Sequence, residues 1–287
     1  MTAKITAARK NFHDELVKRN TLSLSSDDVA SNADSSQRTS VGIALSIAQV
    51  LSAQVIPKKL TGQRVGKQFE EAVEGFLKKT FPLLQSLRPG KWAVENVGGS
   101  RAEYQISRYE PYGHLADLAN AIRKDRNLAS VLGNSYEISP DILVLRLPES
   151  DEVINRDLHL VDAKSAKNAI IREANQSRPI VHAIVSCKWT LRSDRAQNAR
   201  SEALNIIRNR KGRTPHIAVV TGEPSPSRLA SLALGTGDID TVYHFALPEL
   251  IEAVMGTQND EAINMLCTLV TGRRLRDISD LPLDLAI

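Results

Sequence analysis

The chain has 287 residues, 42% of them hydrophobic and 24% charged, enough to bury a full core in one large domain or two small ones. A net charge of +4 and a pI of about 9.1 favour a polyanionic partner only mildly, and an aromatic content of 4% argues against a single-strand binder that stacks bases on exposed rings. No run of about 18 apolar residues exists, and MTAKITAARKNFHDELVKRN lacks the apolar centre and cleavage site of a signal peptide, so no membrane partner and a cytoplasmic location are expected.

Ile5, Ala8, Phe12, Leu16 and Val17 recur at helical intervals, and SLSSDDVASNADSSQRTS (23–40) reads as a polar connection. VGIALSIAQVLSAQVI spans only 16 residues and has polar interruptions, which predicts a buried helix. In TGQRVGKQFEEAVEGFLKKTFPLLQSL, Val65, Phe69, Val73, Phe76 and Leu77 repeat as a helical stripe until Pro82 disturbs it, with Glu70 and Glu71 as its acidic pair. The texture changes after RPGKWAVENVGGSR. DILVLRL (141–147), IVHAIVS (180–186) and HIAVVTG (216–222) read as strands buried on both faces, while LHLVDA (158–163) alternates more weakly. SDRAQNARSEALNIIRNRKG is a strong helix, with Ser193 as N-cap, Asp194 suited to its positive end and Gly212 as its stop. LPELIEAVMG and DEAINMLCTLVTGRRLRDI read as two further helices. The expected architecture is a single α/β domain over 1–287, helical over about 1–90, with a mixed sheet flanked by helices over about 91–287.

Pro140-Asp141 places a carboxylate at the start of a buried strand. Alone, that is a turn signal. Metal-dependent nucleases need oxygen ligands that hold a cation on the scissile phosphate, and a lysine that serves the attacking water. An aspartate on one strand, with an acid and a lysine two residues apart on the next, supplies that set because alternate strand residues share a face. Two segments compete for the second half. Asp162-Ala163-Lys164 fits an acid-x-Lys spelling, twenty-one positions after Asp141, whereas Ser186-Cys187-Lys188 has serine in the acid's place. Rigidity favours the second: IVHAIVS is the more continuous apolar strand, whereas DAKSAKNA passes quickly into polar sequence. Glu202 can replace the missing acid, since it flanks the stripe Ala196, Ala199, Ala203, Ile206 and Ile207 that should face the sheet. Asp162 and Lys164 then become a surface strand end. Cys187 and Cys267 have no partner spacing and read as free thiols, and His13, His114, His159, His182, His216 and His244 show no ligand spacing and read as structural.

Arg192-Ser193-Asp194-Arg195 follows the lysine at once. Arginine pairs bidentately with guanine O6 and N7, and aspartate accepts from cytosine N4, so this set fits a target of G and C only. A dimer would supply the second half of a palindrome such as CCGG.

On Pro140-Asp141, Ser186-Cys187-Lys188, Arg192-Ser193-Asp194-Arg195 and Glu202, fourteen positions after the lysine, the chain resembles the tetrameric type II restriction endonucleases that recognise CCGG-centred sites, a PD-(D/E)xK-fold family. In that family the Ser-x-Lys form is the expected variant. The resemblance implies Mg²⁺ bound by Asp141 and Glu202, with an oxygen from the Cys187 carbonyl, and Lys188 serving the attacking water. It implies an acid from an N-terminal helix, assigned to Glu71 with Glu70 as the alternative. It also implies Arg228, in TGEPSPSRLA, reading an outer G:C pair, hence GCCGGC, a 5′-CCGG overhang, a homotetramer, and a cognate DNA methyltransferase protecting the host genome. Two rivals differ in outcome. A repair or recombination nuclease of the same fold would tolerate loss of the Arg-Asp-Arg set without losing a sequence preference. A non-enzymatic DNA-binding regulator would have no use for acids beside phosphates.

Overall fold

The sheet is built outward from the strands of greatest apolar continuity. Its six strands run in the order β1 (Trp92–Asn96), β2 (Ile142–Arg146), β3 (Ile180–Lys188), β4 (His216–Thr221), β5 (Thr241–His244) and β6 (Leu275–Asp277). β1, β2 and β3 pair antiparallel, and β3 through β6 pair parallel, so the sheet is mixed. The computed structural model describes residues 2–98, 105–124, 130, 140–191, 193–235 and 237–287, and for 105 and 193–196 the backbone alone.

Three of the N-terminal elements are helices, α1 (Lys4–Lys18), α2 (Arg38–Val50) and α3 (Gly62–Thr80), followed later by α4 (His114–Lys124). The stripe Val65, Phe69, Val73, Phe76 and Leu77 is buried, as its spacing predicts, and α3 lies on β1 and β3. Phe69 meets Trp189 with ring centroids 4.9 Å apart, which ties the helix to the residue just beyond β3. α5 (Ser193–Asn209) buries Ala199, Ala203 and Ile206. It ends three residues before Gly212, whose φ of +121° suits glycine alone. Among the described residues, α6 (Pro226–Ala233), α7 (Leu247–Met255) and α8 (Asp260–Thr271) complete the helices longer than four residues.

Three strands went unpredicted. β1 lies in the segment read only for its Pro-Gly and Gly-Gly breaks, and β5 and β6 are too short for alternation to show. The reading of residues 274–278 as helix fails for this reason: α8 stops at Thr271 and Leu275–Asp277 joins the parallel edge. LHLVDA is not a strand. Leu158 and Leu160 are exposed, and Asp162 accepts from the Lys164 and Ser165 backbone N–H groups at 2.8 and 2.9 Å, a local turn that competes with sheet pairing.

Arg9 fastens the ends of the chain together. Its guanidinium donates to Asp277 at 2.9 and 3.0 Å and to Glu249 at 2.9 and 2.6 Å, spanning both carboxylates in fork geometry. Burial works against ionisation of Asp277 and Glu249, and Arg9 outweighs it, holding both below the ordinary carboxylate range. Their share of stability is therefore present above the unfolded carboxylate pKa and is lost as pH falls through the folded one. Arg9→Ala takes the guanidinium from two largely buried carboxylates and should lower unfolding stability by about 3 kcal/mol in urea titration. Lys10→Ala breaks only the exposed 3.5 Å pair with Asp14 and should cost less than about 0.5 kcal/mol.

Candidate active site

The antiparallel register of β2 and β3 pairs Ile142 with Val185, so Asp141, one step before β2, meets the last residues of β3. One oxygen of Asp141 accepts the Cys187 N–H at 2.7 Å and the Lys188 ammonium at 3.2 Å. Lys188 Nζ also lies 3.7 Å from Glu202 Oε2, and the Ser186 hydroxyl donates to that oxygen at 3.2 Å. Ser186 and Lys188 share a sheet face with Glu202 of α5, whereas the buried Cys187 side chain alternates to the other face. The structure thus brings Asp141, Ser186, Lys188 and Glu202 together.

The electrostatics follow from burial and proximity. Burial by itself lowers the pKa of Lys188, but the Asp141 and Glu202 carboxylates outweigh it and hold the ammonium above its ordinary value. Burial raises the Glu202 carboxyl, against the pull of Lys188. Burial also raises the Cys187 thiol.

Of the acidic pair on α3, Glu70 is the one that faces these residues. Its carboxyl is pushed up to about 7, first by burial and then by the charge of Asp141. A Cβ on Gly98 would lie 3.0 Å from Glu70 Oε2 and 3.4 Å from the Asp141 Cα, which places Glu70 beside the start of β2. Glu71, the acid assigned from sequence, turns instead to Arg19, which also holds Glu15 at 3.3 Å. Adjacent helical residues point about 100° apart, so only one of the pair can face the sheet. Asp162 and Lys164 lie in the exposed turn between β2 and β3 rather than at a strand end.

Of the base-reading set, Arg192 lies outside the described residues. Asp194 and Arg195 fall in the first turn of α5, and their side chains are likewise outside them. Arg228 lies in the first turn of α6 rather than in a loop, and it pairs with Asp34 while lying 3.7 Å from Glu223. Sequence reasoning passed over Asp34 as part of a polar connection. Its pairing with a residue 194 positions away leaves no local signal. Asp34, Lys59, Trp189, Thr190 and Arg228 line a cleft of about 360 Å³ just beyond the end of β3.

Oxygen donors on one rigid sheet edge suit a hard divalent cation. Among the described residues no three His, Cys, Asp or Glu side chains converge on one ion position. Asp141 and Glu202 are the carboxylates beside Lys188 that could hold such a cation. Also among the described residues, no helix is long and apolar enough to cross a membrane.

The family model described as NgoMIV restriction enzyme matches residues 12–287. The type II restriction enzyme NgoMIV of Neisseria gonorrhoeae is 48% identical over 287 residues, covering 100% of both chains. A solved complex of the restriction endonuclease PspGI with substrate DNA is 14% identical, covering 99% of this chain and 92% of that one, at a TM-score of 0.26 that is too low to bear on the fold. The chain belongs to the NgoMIV family of type II restriction endonucleases, site-specific deoxyribonucleases.

Proposed function

We propose that this restriction endonuclease hydrolyses both strands of double-stranded DNA at the palindrome GCCGGC, leaving a 5′-CCGG overhang with 5′-phosphate and 3′-hydroxyl ends. The observation that carries the chemistry is the Lys188 ammonium flanked by Asp141 at 3.2 Å and Glu202 at 3.7 Å. Asp141 and Glu202, with the Cys187 carbonyl, are the residues that would hold Mg²⁺. Bound there, Mg²⁺ supplies Lewis-acid polarisation of the scissile phosphoryl group and offsets the charge of the transition state. Lys188 donates hydrogen bonds to the attacking water and orients it for in-line displacement, and its raised pKa keeps it cationic. Ser186 holds the Glu202 carboxylate in place through its hydroxyl. Glu70 completes the acidic rim from the α3 side.

Arg192, Asp194 and Arg195 read the inner CCGG as guanine and cytosine contacts in the major groove. Arg228 reads the outer guanine, and Asp34, already paired with its guanidinium, can accept from the cytosine N4. A palindrome requires a two-fold pair of chains, and the family resemblance extends this to a homotetramer engaging two sites. A DNA methyltransferase of matching specificity in the same cell protects its genome, and cleavage occurs in the cytoplasm. The whole chain acts as one endonuclease domain.

Mutation separates the two lysines. Lys188→Ala should lower cleavage of a GCCGGC duplex by at least about 10²-fold while sparing duplex binding in gel shifts with Ca²⁺, and Lys164→Ala should leave both unchanged. The reverse pattern moves catalysis to the β2–β3 turn.

Glu70 gives a test by pH. A carboxyl raised from 4.5 to about 7 keeps, in the folded state, a proton that the unfolded chain releases, so metal-free stability falls as pH rises through that window. Glu70→Gln should melt with wild type at pH 4 and above it at pH 8 in EDTA. A variant melting below wild type at pH 8 contradicts the placement.

A further inference from the structure

Gly222 and Glu223, just after β4, lie between the chain that leaves β3 and the start of α6. The Gly222 N–H donates to the Lys188 carbonyl at 3.3 Å, and its own carbonyl accepts from Asn32 Nδ2 at 2.7 Å, two residues before Asp34. A Cβ at Gly222 would lie 2.6 Å from the Trp189 ring, so this backbone is pressed against the residue that follows the catalytic lysine. The Glu223 side chain is 0% exposed. One of its oxygens accepts the Leu191 N–H at 2.8 Å, the other accepts the Ser225 N–H at 3.1 Å, and Arg228 Nη1 lies 3.7 Å away.

Burying a carboxylate is costly, and burial pushes the Glu223 carboxyl above its ordinary value. An apolar side chain would avoid that cost but orphan two buried N–H groups. Glutamine could accept from one of them and would turn its own N–H₂ against the other. Only a carboxylate of this length accepts from both and faces a guanidinium as well. Leu191 immediately precedes the base-reading segment, and Arg228 is the outer-base reader. Among the described residues Glu223 is the one fully buried acid, and it joins the two reading elements to each other, while its neighbour Gly222 joins them to the catalytic strand.

We propose that Glu223 is a positioning residue that couples recognition of the outer base pair to placement of Lys188, a role that rests on the reading of Arg228 and Asp34 given above. It faces Nη1 of the Arg228 guanidinium while Asp34 takes Nη2, and it holds the Leu191 N–H where the chain leaves β3. A wrong outer pair then disturbs Arg228, the Glu223 carboxylate and the Leu191 backbone in turn, and the cost emerges in cutting as well as in binding.

The test is kcat and KM with Mg²⁺ on two duplexes, one holding GCCGGC and one holding ACCGGT, for wild type, Glu223→Gln and Arg228→Ala. The ratio of kcat/KM between the duplexes is internal to each protein, so loss of folded material does not move it. Arg228→Ala is expected to collapse the ratio. Glu223→Gln is expected to shrink it about tenfold and to lower kcat on GCCGGC more than it raises KM. An unchanged ratio in Glu223→Gln, with equal losses on both duplexes, leaves Glu223 a purely structural residue and overturns the proposal. An unchanged ratio in Arg228→Ala instead overturns the outer-base reading, and the proposal falls with it. If Glu223→Gln does not fold, Glu223→Asp, which keeps the charge but shortens the reach, carries the same comparison.

Discussion

The site depends on one register. Because β2 and β3 run antiparallel with Ile142 opposite Val185, a carboxylate placed one residue before β2 can reach only the last residues of β3. The Cys187 N–H fixes Asp141 at 2.7 Å, and Lys188 then has a carboxylate on one side and Glu202 on the other. A slip of one residue would turn Ser186 and Lys188 to the opposite face, away from α5. The surrounding apolar burial makes such a slip expensive, since Leu143, Val144, Ile184 and Val185 are fully or almost fully buried. Precision at the candidate site is thus inherited from the core.

The helices complete what the strands begin. α5 brings Glu202 over the end of β3, because Ala199, Ala203 and Ile206 bury the flank beside it. α3 brings Glu70 from the other direction through Phe69, which packs against Trp189. Burial first, and then the charge of Asp141, raise the Glu70 carboxyl to about 7, and Lys188 offsets only part of that rise. The cleft lined by Asp34, Trp189, Thr190 and Arg228 opens just beyond the end of β3 that carries Lys188.

What could be read from the residues alone follows a physical division. Pro140-Asp141 and Ser186-Cys187-Lys188 were legible because they sit on long apolar strands, where alternation fixes the facing of each side chain. Glu202 was legible because it borders a helical stripe. Glu70 and Glu71 could not be separated by spelling, since the choice is made by Arg19 of the α1 end, fifty-two positions away, which takes Glu71. Asp34 and Glu223 were hidden in polar segments whose roles arise only from long-range partners, Arg228 for the first and Leu191 for the second. β5 and β6, four and three residues long, carry too few positions for a period to appear. The misread strand at residues 158–163 shows the converse: weak alternation was present, and Asp162 spent its hydrogen bonds on a turn.

The most direct measurement of the central claim is to incubate the purified protein with phage or plasmid DNA, in Mg²⁺ and in EDTA, and to sequence every new end. Discrete ends at GCCGGC carrying 5′-CCGG overhangs in Mg²⁺ and none in EDTA are the predicted result. Scattered nicks, metal-independent cutting, or binding without new ends would contradict it.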